Sequence, residues 1–288
     1  MKAWAYDRER LGPPPAGVEV VAEAGPDVEF VVPRWEDMPA LDEMPALRVV
    51  QVLSAGVDWI ADRVPDGVTL CSARGARDRA MAEWVMGAIL ADAKRARECA
   101  EQQARRHWEL VQLGDASNLR VLILGFGSIG RALASMLGAF DCEAVGVARR
   151  ARDGVHGIDE LPGLLPQADV VVNLLPLTEA TRGAVGAAEL AAMREGALYV
   201  NAGRGATTDT AALVDALHTG RIRAVLDVVD PEPLPAEHPL WMAPGLMISP
   251  HSAGDTPGAD RAAWALAAAQ LRRYAAGEEL ENVVGDGY

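Results

Sequence analysis

Short apolar runs rich in Val, Ile and Leu alternate along this chain with longer stretches of helical period. In the first part the runs predict strands at Lys2–Tyr6, Val18–Ala22, Glu29–Val32, Leu47–Leu53 and Val68–Cys71. In the second part the alternation restarts, with strands at Arg120–Leu124, Glu143–Ala148, Asp169–Leu175, Ala197–Asn201, Arg223–Val229 and Leu246–Ser249. Runs apolar on both faces and separated by helices or loops read as parallel strands covered on both sides. A single long helix is expected from about Asp78 to His107. Its first half is apolar (Met81, Trp84, Val85, Ala88, Ile89) and its second half, Lys94 to Arg106, is strongly charged. Such a helix packs at one end and bridges domains or subunits at the other. Gly114–Asn118 reads as a linker, and a last helix covers roughly Pro257–Ala276. The pattern is that of an α/β protein with two doubly wound parallel-sheet domains.

Composition narrows the function classes. The chain has 288 residues, 50% hydrophobic and 24% charged, with a formal charge of −14. That balance excludes a disordered, collagen-like or disulfide-stapled chain. An acidic background argues against nucleic acid as a partner, because a polyanion needs a cationic footprint. It leaves room for a small anionic ligand held by a few arginines. Cys71, Cys99 and Cys142 are isolated and lack metal-ligand spacing, so reduced thiols and a cytoplasmic location are expected. Neither a secretory leader nor an uncharged 18-residue stretch is expected, so no membrane association follows.

Gly125-Phe126-Gly127-Ser128-Ile129-Gly130 follows the strand Arg120–Leu124 and opens a helix. By itself a GxGxxG is an ordinary strand-to-helix turn, but this context is the one dinucleotide binding requires. Gly125 permits the tight turn, Gly127 lets a pyrophosphate approach the backbone, and Gly130 lets helix and strand pack closely. The helix N-terminus offers unpaired N–H groups to the phosphates. About twenty residues on, NAD-binding folds carry a carboxylate for the ribose 2′-OH. Here the strand ends in Ala148-Arg149-Arg150. Two guanidinium groups suit a 2′-phosphate, so NADP(H) is expected, with NAD(H) as the alternative.

Three further segments put polar residues at the carboxyl ends of expected strands, where open α/β sheets bind ligands. They are Asn201-Ala-Gly-Arg204-Gly, Asp227-Val-Val-Asp-Pro-Glu232-Pro and Ser249-Pro-His251-Ser-Ala-Gly254. Together they supply a cation, a carboxylate and an imidazole. A 2-oxo acid needs a cation for its carboxylate and a proton donor for the carbonyl oxygen as hydride arrives.

With these motifs in view, the sequence resembles the D-isomer-specific 2-hydroxyacid dehydrogenase family. GFGSIG, LPLTEATRG (Leu175–Gly183), NAGRG (Asn201–Gly205), LDVVDPEPLP (Leu226–Pro235) and SPHSAG (Ser249–Gly254) occur in family order, and SAGVD (Ser54–Asp58) extends the match. The resemblance implies a Rossmann dinucleotide-binding domain over 80–253 and a smaller flavodoxin-like substrate domain over 1–79 and 254–288. It places the catalytic set on Arg204, Glu232 and His251. It assigns the substrate carboxylate to backbone N–H groups around Ala55 and Gly56, with Arg204. Nucleotide contacts would come from Ser128, Ile129, Pro176, Ala202, Asp227 and Gly254. The arginine pair and Asn173-Leu-Leu-Pro176 look most like the glyoxylate/hydroxypyruvate reductase branch.

The expected activity is hydride transfer between a nicotinamide cofactor and a small 2-oxo or D-2-hydroxy acid. Two alternatives stand beside it: a corepressor-like dinucleotide sensor on the same scaffold, and an NAD-dependent enzyme like phosphoglycerate dehydrogenase. Side chains around Trp35, Ser54 and Arg74–Asp78 are expected to choose the substrate. His107, His156, His218 and His238 read as structural, and Asp58 and Asp230 as cap and turn residues. The charged helix half and Trp108 are expected to contribute to a twofold homodimer.

Overall fold

Each apolar run that the sequence marks becomes a parallel strand, because a strand flanked by cover on both faces can be apolar on both. A computed structural model of the protein describes residues 1–285, so the last three residues of the segment 254–288 lie outside the described residues. The chain divides into two compact units, one of Met1–Asp78 with Asp255–Tyr288 and one of Arg79–Gly254.

In the first unit the strands are β1 (Lys2–Ala5), β2 (Glu19–Val21), β3 (Val28–Val32), β4 (Val49–Gln51) and β5 (Thr69–Cys71). They form a 5-stranded sheet in the order β2-β1-β3-β4-β5, and every pairing is parallel. This is the flavodoxin-like strand order. Short 3₁₀ turns at Arg8–Leu11, Leu41–Glu43 and Ala61–Arg63 occupy connections where full helices would be usual.

The second unit begins with a helix that the sequence reads as continuous and the structure breaks. α1 spans Asp78–Ala93 and α2 spans Ala96–Ala104, with Arg95 between them in the left-handed region at φ 46°. The break falls where two residues are drawn to other elements. Asp92 is gripped by Arg223 at 2.7 and 2.8 Å, and Lys94 Nζ donates to the Gly114 carbonyl at 2.9 Å. Beyond α2 the chain has no regular element until Arg120, and Trp108 and Leu110 stand 100% and 94% exposed.

The remaining elements alternate: β6 (Arg120–Leu124), α3 (Ser128–Gly138), β7 (Glu143–Ala148), β8 (Val155–Gly157), α4 (Leu161–Leu164), β9 (Val170–Asn173), α5 (Ala187–Ala192), β10 (Leu198–Asn201), α6 (Thr210–His218), β11 (Arg223–Leu226) and β12 (Leu246–Ile248). The 7-stranded sheet runs β12-β11-β10-β9-β6-β7-β8, all parallel. β8 is an edge strand that the sequence pattern does not reveal. The order reverses between β6 and β9, and a crevice outside the strand ends at such a point is where open sheets take ligands. Alternation along β6 builds both faces. Leu122 and Leu124 join Tyr199, Leu213 and Leu217 on one side, while Val121 and Ile123 join Val85, Ile89 and Leu133 on the other.

The final helix, α7 (Pro257–Ala276), belongs to the first unit. Its N-cap Thr256 accepts from the Ala259 N–H, and Gly277 in the left-handed region ends it, as helix-capping chemistry favours. Trp264, Ala267 and Leu271 of α7 pack on Ala3, Phe30, Val32 and Cys71. Burial pushes the Cys71 thiol up to about 11, so this cysteine is a small core residue rather than a nucleophile.

Candidate active site

The glycine loop is shaped by contacts that leave no space for side chains. Gly125 lies at φ +86°, and a Cβ there would meet the Leu174 carbonyl oxygen at 2.8 Å. The first turn after β6 is thereby pressed against the chain leaving β9, across the point where strand order reverses. The N–H groups of Gly125 and Phe126 both donate to the Val147 carbonyl at 3.0 Å. No side chain caps α3, whose N-cap is Gly127, so the N–H groups of its first turn, from Ser128 and Ile129 on, stay available. This is a cradle of backbone donors at a helix N-terminus, which fits a pyrophosphate. Gly130 packs close to Ile123 and Phe126, as close helix–strand packing requires.

Beyond β7, Arg149 and Arg150 are exposed and, among the described residues, make no hydrogen bond or ion pair. Arg152 was not singled out from the sequence. Its Nη2 donates to the Phe126 carbonyl at 2.7 Å, which lays a third guanidinium on the glycine loop. The signal for it was present, since a third arginine follows the pair two residues on.

Neighbouring strand ends carry a buried polar network. β9 and β10 end in Asn173 and Asn201, which sit opposite each other in the register and are both buried. Asn173 Nδ2 donates to Tyr199 Oη at 2.9 Å and Thr207 Oγ1 at 2.8 Å, while its Oδ1 accepts the Leu175 N–H at 3.0 Å. Asn201 Nδ2 donates to Thr208 Oγ1 at 3.1 Å and the Arg204 carbonyl at 3.2 Å, and its Oδ1 accepts the Gly203 N–H at 3.0 Å. Tyr199 Oη and Thr208 Oγ1 lie 2.6 Å apart, and burial pushes the phenol up to about 12. These residues fix the loops at Leu174–Pro176 and Ala202–Thr208. Pro176 itself is exposed, its carbonyl accepting from Thr181 Oγ1 at 2.6 Å, and Ala202 is buried with its N–H on the Asn173 carbonyl.

Arg204 is half-buried, and its Nη1 donates to the Gly203 carbonyl at 2.8 Å. The glycines on either side make close approaches. A Cβ on Gly203 would meet the Leu175 carbonyl oxygen at 2.6 Å, and one on Gly205 would meet the Val229 carbonyl oxygen at 1.8 Å. The arginine loop is therefore pressed onto the segment that leads to Glu232.

Asp227 follows β11 and is only 2% exposed. Its Oδ1 accepts Ser249 Oγ at 2.5 Å and the Ser252 N–H at 2.8 Å, and its Oδ2 accepts the Ala253 N–H at 3.0 Å. Both oxygens thus hold the 249–253 loop. That loop carries His251 at φ 51°, its N–H donating to the Asp227 carbonyl at 2.8 Å. A non-glycine residue in this region is uncommon and marks a loop whose shape is imposed by its surroundings. His251 Nδ1 lies 2.7 Å from Glu232 Oε1. The imidazole is half exposed, and among the described residues its Nε2 has no partner. Gly254 closes the loop and the second unit. The other four histidines are engaged locally, with Glu109, Glu160, the Val214 carbonyl and the Leu240 N–H.

Ala55 and Gly56 lie in the first unit, on the loop after β4. Among the described residues, the N–H groups of Gly56 and Val57 donate to no protein acceptor. Unpartnered backbone donors in succession form a natural seat for an anion.

Comparison with known proteins gives this arrangement its chemistry. Residues 86–253 match the model of the D-isomer specific 2-hydroxyacid dehydrogenase, NAD binding domain. The chain belongs to this dehydrogenase family. It is 33% identical to the glyoxylate reductase of Aeropyrum pernix over 86% of this chain and 79% of that protein. Among solved structures, a D-isomer specific 2-hydroxyacid dehydrogenase from Xanthobacter autotrophicus Py2, in complex with NADPH and MES, is 32% identical, covers 99% of this chain and 98% of its own, and superposes with a TM-score of 0.86. The NADPH-dependent glyoxylate/hydroxypyruvate reductase of Sinorhizobium meliloti, with NADP and sulfate, is 28% identical over the same shares, with a TM-score of 0.86. Like other members of the family, this 2-hydroxyacid dehydrogenase is an NAD(P)-dependent oxidoreductase with parallel α/β sheets.

The close approach at Gly205 generates a test. Gly205→Ala must push the Arg204 loop off the Val229–Asp230 backbone. A displacement of about 1 Å at a catalytic group can cost about 10²-fold in rate. The variant is expected to keep its circular dichroism spectrum and lose kcat/KM on that scale. Unchanged kinetics would show that the contact does not position Arg204.

Proposed function

We propose that this dehydrogenase reduces a small 2-oxo acid of the glyoxylate or hydroxypyruvate type with NADPH, and runs the reverse reaction on the D-2-hydroxy acid. The 2.7 Å pairing of His251 with Glu232 carries the reading, because it leaves Nε2 as the open proton donor. The dinucleotide supplies the hydride, and the protein supplies alignment and charge. Residues 80–253 act as the nucleotide-binding domain, and residues 1–79 with 254–288 as the substrate domain.

In this reading the phosphates rest on Gly125, Gly127, Ser128, Ile129 and Gly130, and the chain around Pro176, Ala202 and Gly254 lines the nicotinamide end. Asp227 acts through the loop it holds. His251 Nε2 gives its proton to the carbonyl oxygen during reduction and takes it back during oxidation. Glu232 orients the ring through Nδ1 and balances the charge it carries when protonated. Arg204 binds the substrate's carboxylate and carbonyl, a two-point contact that a planar guanidinium makes and an ammonium cannot. In the first unit, carboxylate recognition falls to the N–H groups at Ala55 and Gly56.

Preference for NADPH is supported by Arg149 and Arg150, which are uncommitted, and by the absence of a carboxylate at Ala148. Two solved relatives hold NADPH or NADP. Assembly as a homodimer is supported by Trp108 and Leu110, since apolar side chains this exposed in one segment signal a partner surface.

These readings are separable. His251→Ala is expected to lower kcat for glyoxylate and hydroxypyruvate reduction by about 10²–10⁴-fold with NADPH affinity nearly intact. A variant that kept wild-type turnover would dismiss His251 as the acid, and a wild type inactive on every 2-oxo acid would favour a sensor. Arg149→Ala with Arg150→Ala should weaken NADPH by about 1–3 kcal/mol and leave NADH unchanged. Equal dissociation constants for both cofactors in the unmodified protein would overturn that preference. Trp108→Ser should move the protein towards monomer in sedimentation at micromolar concentration, and a wild-type monomer would end the dimer reading.

A further inference from the structure

Beside the 54–57 loop, the first unit carries a hydrogen-bonded relay that the catalytic reading does not use. Ser54 Oγ donates to the Gly56 carbonyl at 2.6 Å and accepts the Trp59 indole N–H at 3.1 Å. A hydroxyl has one proton, and an indole nitrogen can only donate. The direction of the relay is therefore fixed: Trp59 sets the rotor of Ser54, and the single serine proton goes to Gly56. In a planar trans peptide the carbonyl and the following N–H point in opposite directions. Holding the Gly56 carbonyl towards Ser54 therefore turns the Val57 N–H to the other side.

The rest of the loop is anchored by its backbone. The Ser54 carbonyl accepts from the Ala73 N–H at 2.8 Å, and the Val57 carbonyl accepts from Ile60 and Ala61 at 3.0 and 2.9 Å. The Gly56 peptide between these anchors has no Cβ to restrain it, so the serine relay decides its orientation. Trp59 is in turn seated by neighbours. Its ring meets Trp35 edge-on at 6.0 Å and 60°, and the Arg63 guanidinium lies 5.1 Å over Trp35. Trp35 is 59% exposed, at a turn closed by the pairing of Arg34 with Asp37 directly after β3. This cluster and the 54–57 loop both follow carboxyl ends of parallel strands, on the side where such sheets take ligands.

We propose that Trp59 is a positioning residue for substrate binding: acting through Ser54, it orients the Gly56–Val57 peptide so that the loop's N–H groups receive the substrate carboxylate. The proposal rests on the reading of the Ala55–Gly56 loop as the carboxylate seat. A residue that merely filled space would need its ring alone. Trp59 as a positioning residue needs its N–H.

The experiment uses the intact protein saturated with NADPH, with oxamate as an unreactive carboxylate probe. Trp59→Phe keeps the ring and deletes the donor, and Ser54→Ala deletes the relay. Each is expected to raise the 2-oxo acid KM and the oxamate Kd by about tenfold, the scale of one hydrogen bond, with kcat within about twofold and NADPH affinity unchanged. The double variant should match either single one, because both changes break the same relay. Unchanged KM in a folded Trp59→Phe protein, or a double variant whose losses add, would overturn the proposal. Backbone amide spectra separate this from failure of the underlying reading. Oxamate should move the Gly56 and Val57 amide protons downfield in the wild type. If it does not, the loop is not the carboxylate seat. If it does while Trp59→Phe binds oxamate normally, only the role of Trp59 falls.

Discussion

Strands apolar on both faces must end somewhere, and where they end their polar groups need partners. In the second unit that requirement falls on three adjacent strand ends. β9 closes on Asn173, β10 on Asn201 and β11 leads into Asp227, all buried. An unsatisfied buried amide or carboxylate costs several kcal/mol, so each must be met by a loop that comes to it. The loops that come are the ones that carry Arg204 and His251. Asn173 holds Leu175, Asn201 holds Gly203 and the Arg204 carbonyl, and Asp227 holds Ser249, Ser252 and Ala253. The backbone continues the staircase, with Ala202 N–H on the Asn173 carbonyl, Asp227 N–H on the Asn201 carbonyl and His251 N–H on the Asp227 carbonyl. Satisfying the sheet and placing Arg204 and His251 are one structural event.

The glycines make that arrangement dense. Gly125, Gly203 and Gly205 each stand where a Cβ would collide with backbone of the next loop. A chain of such contacts transmits position, because interiors at this packing density do not deform continuously. His251 reaches its place at a positive φ, and the strain is affordable only because Asp227 holds the loop from three sides. Glu232 completes the set on a segment whose approach is governed by Gly205.

Much of this is legible in the sequence, and the reasons it is or is not are physical. The glycine loop can be read because its residues answer local demands, a tight turn and a helix start, within a few positions of one another. Arg204, Glu232 and His251 can be read because their motifs keep order along the chain, although nothing local says that Nδ1 of one meets Oε1 of another. Asn173 and Asn201 leave a fainter mark, a polar residue closing the runs Val170–Asn173 and Leu198–Asn201, and their mutual register is a property of the sheet alone. The expected strand Asp169–Leu175 is longer than the observed one, since the chain beyond Asn173 turns to lie against Gly125 of the glycine loop. The break at Arg95 escapes because local helical pattern is continuous there. It lies just beyond Asp92, which is gripped by Arg223, more than a hundred residues away in sequence. β8 escapes because a short edge strand has one neighbour and little apolar signature.

A protein of formal charge −14 that is proposed to work on anions raises an electrostatic question, and on that proposal the backbone donors answer it. The uncapped first turn of α3, and the Gly56 and Val57 N–H groups, are neutral dipoles fixed in direction. They attract an anion at short range without adding a net charge whose field would extend over the surface. Formal cations are few and local: Arg149, Arg150 and Arg152 follow β7 closely, and Arg204 lies in the loop after β10. At physiological ionic strength charges separated by more than about 8 Å are largely screened from one another. The distant acidic surface therefore costs an anion little once it has arrived, while these few donors act at contact distance. On the proposed reading, recognition by oriented backbone requires loops that are held firmly. A charge on a flexible stem tolerates displacement, whereas an N–H donor loses its bond when its peptide turns.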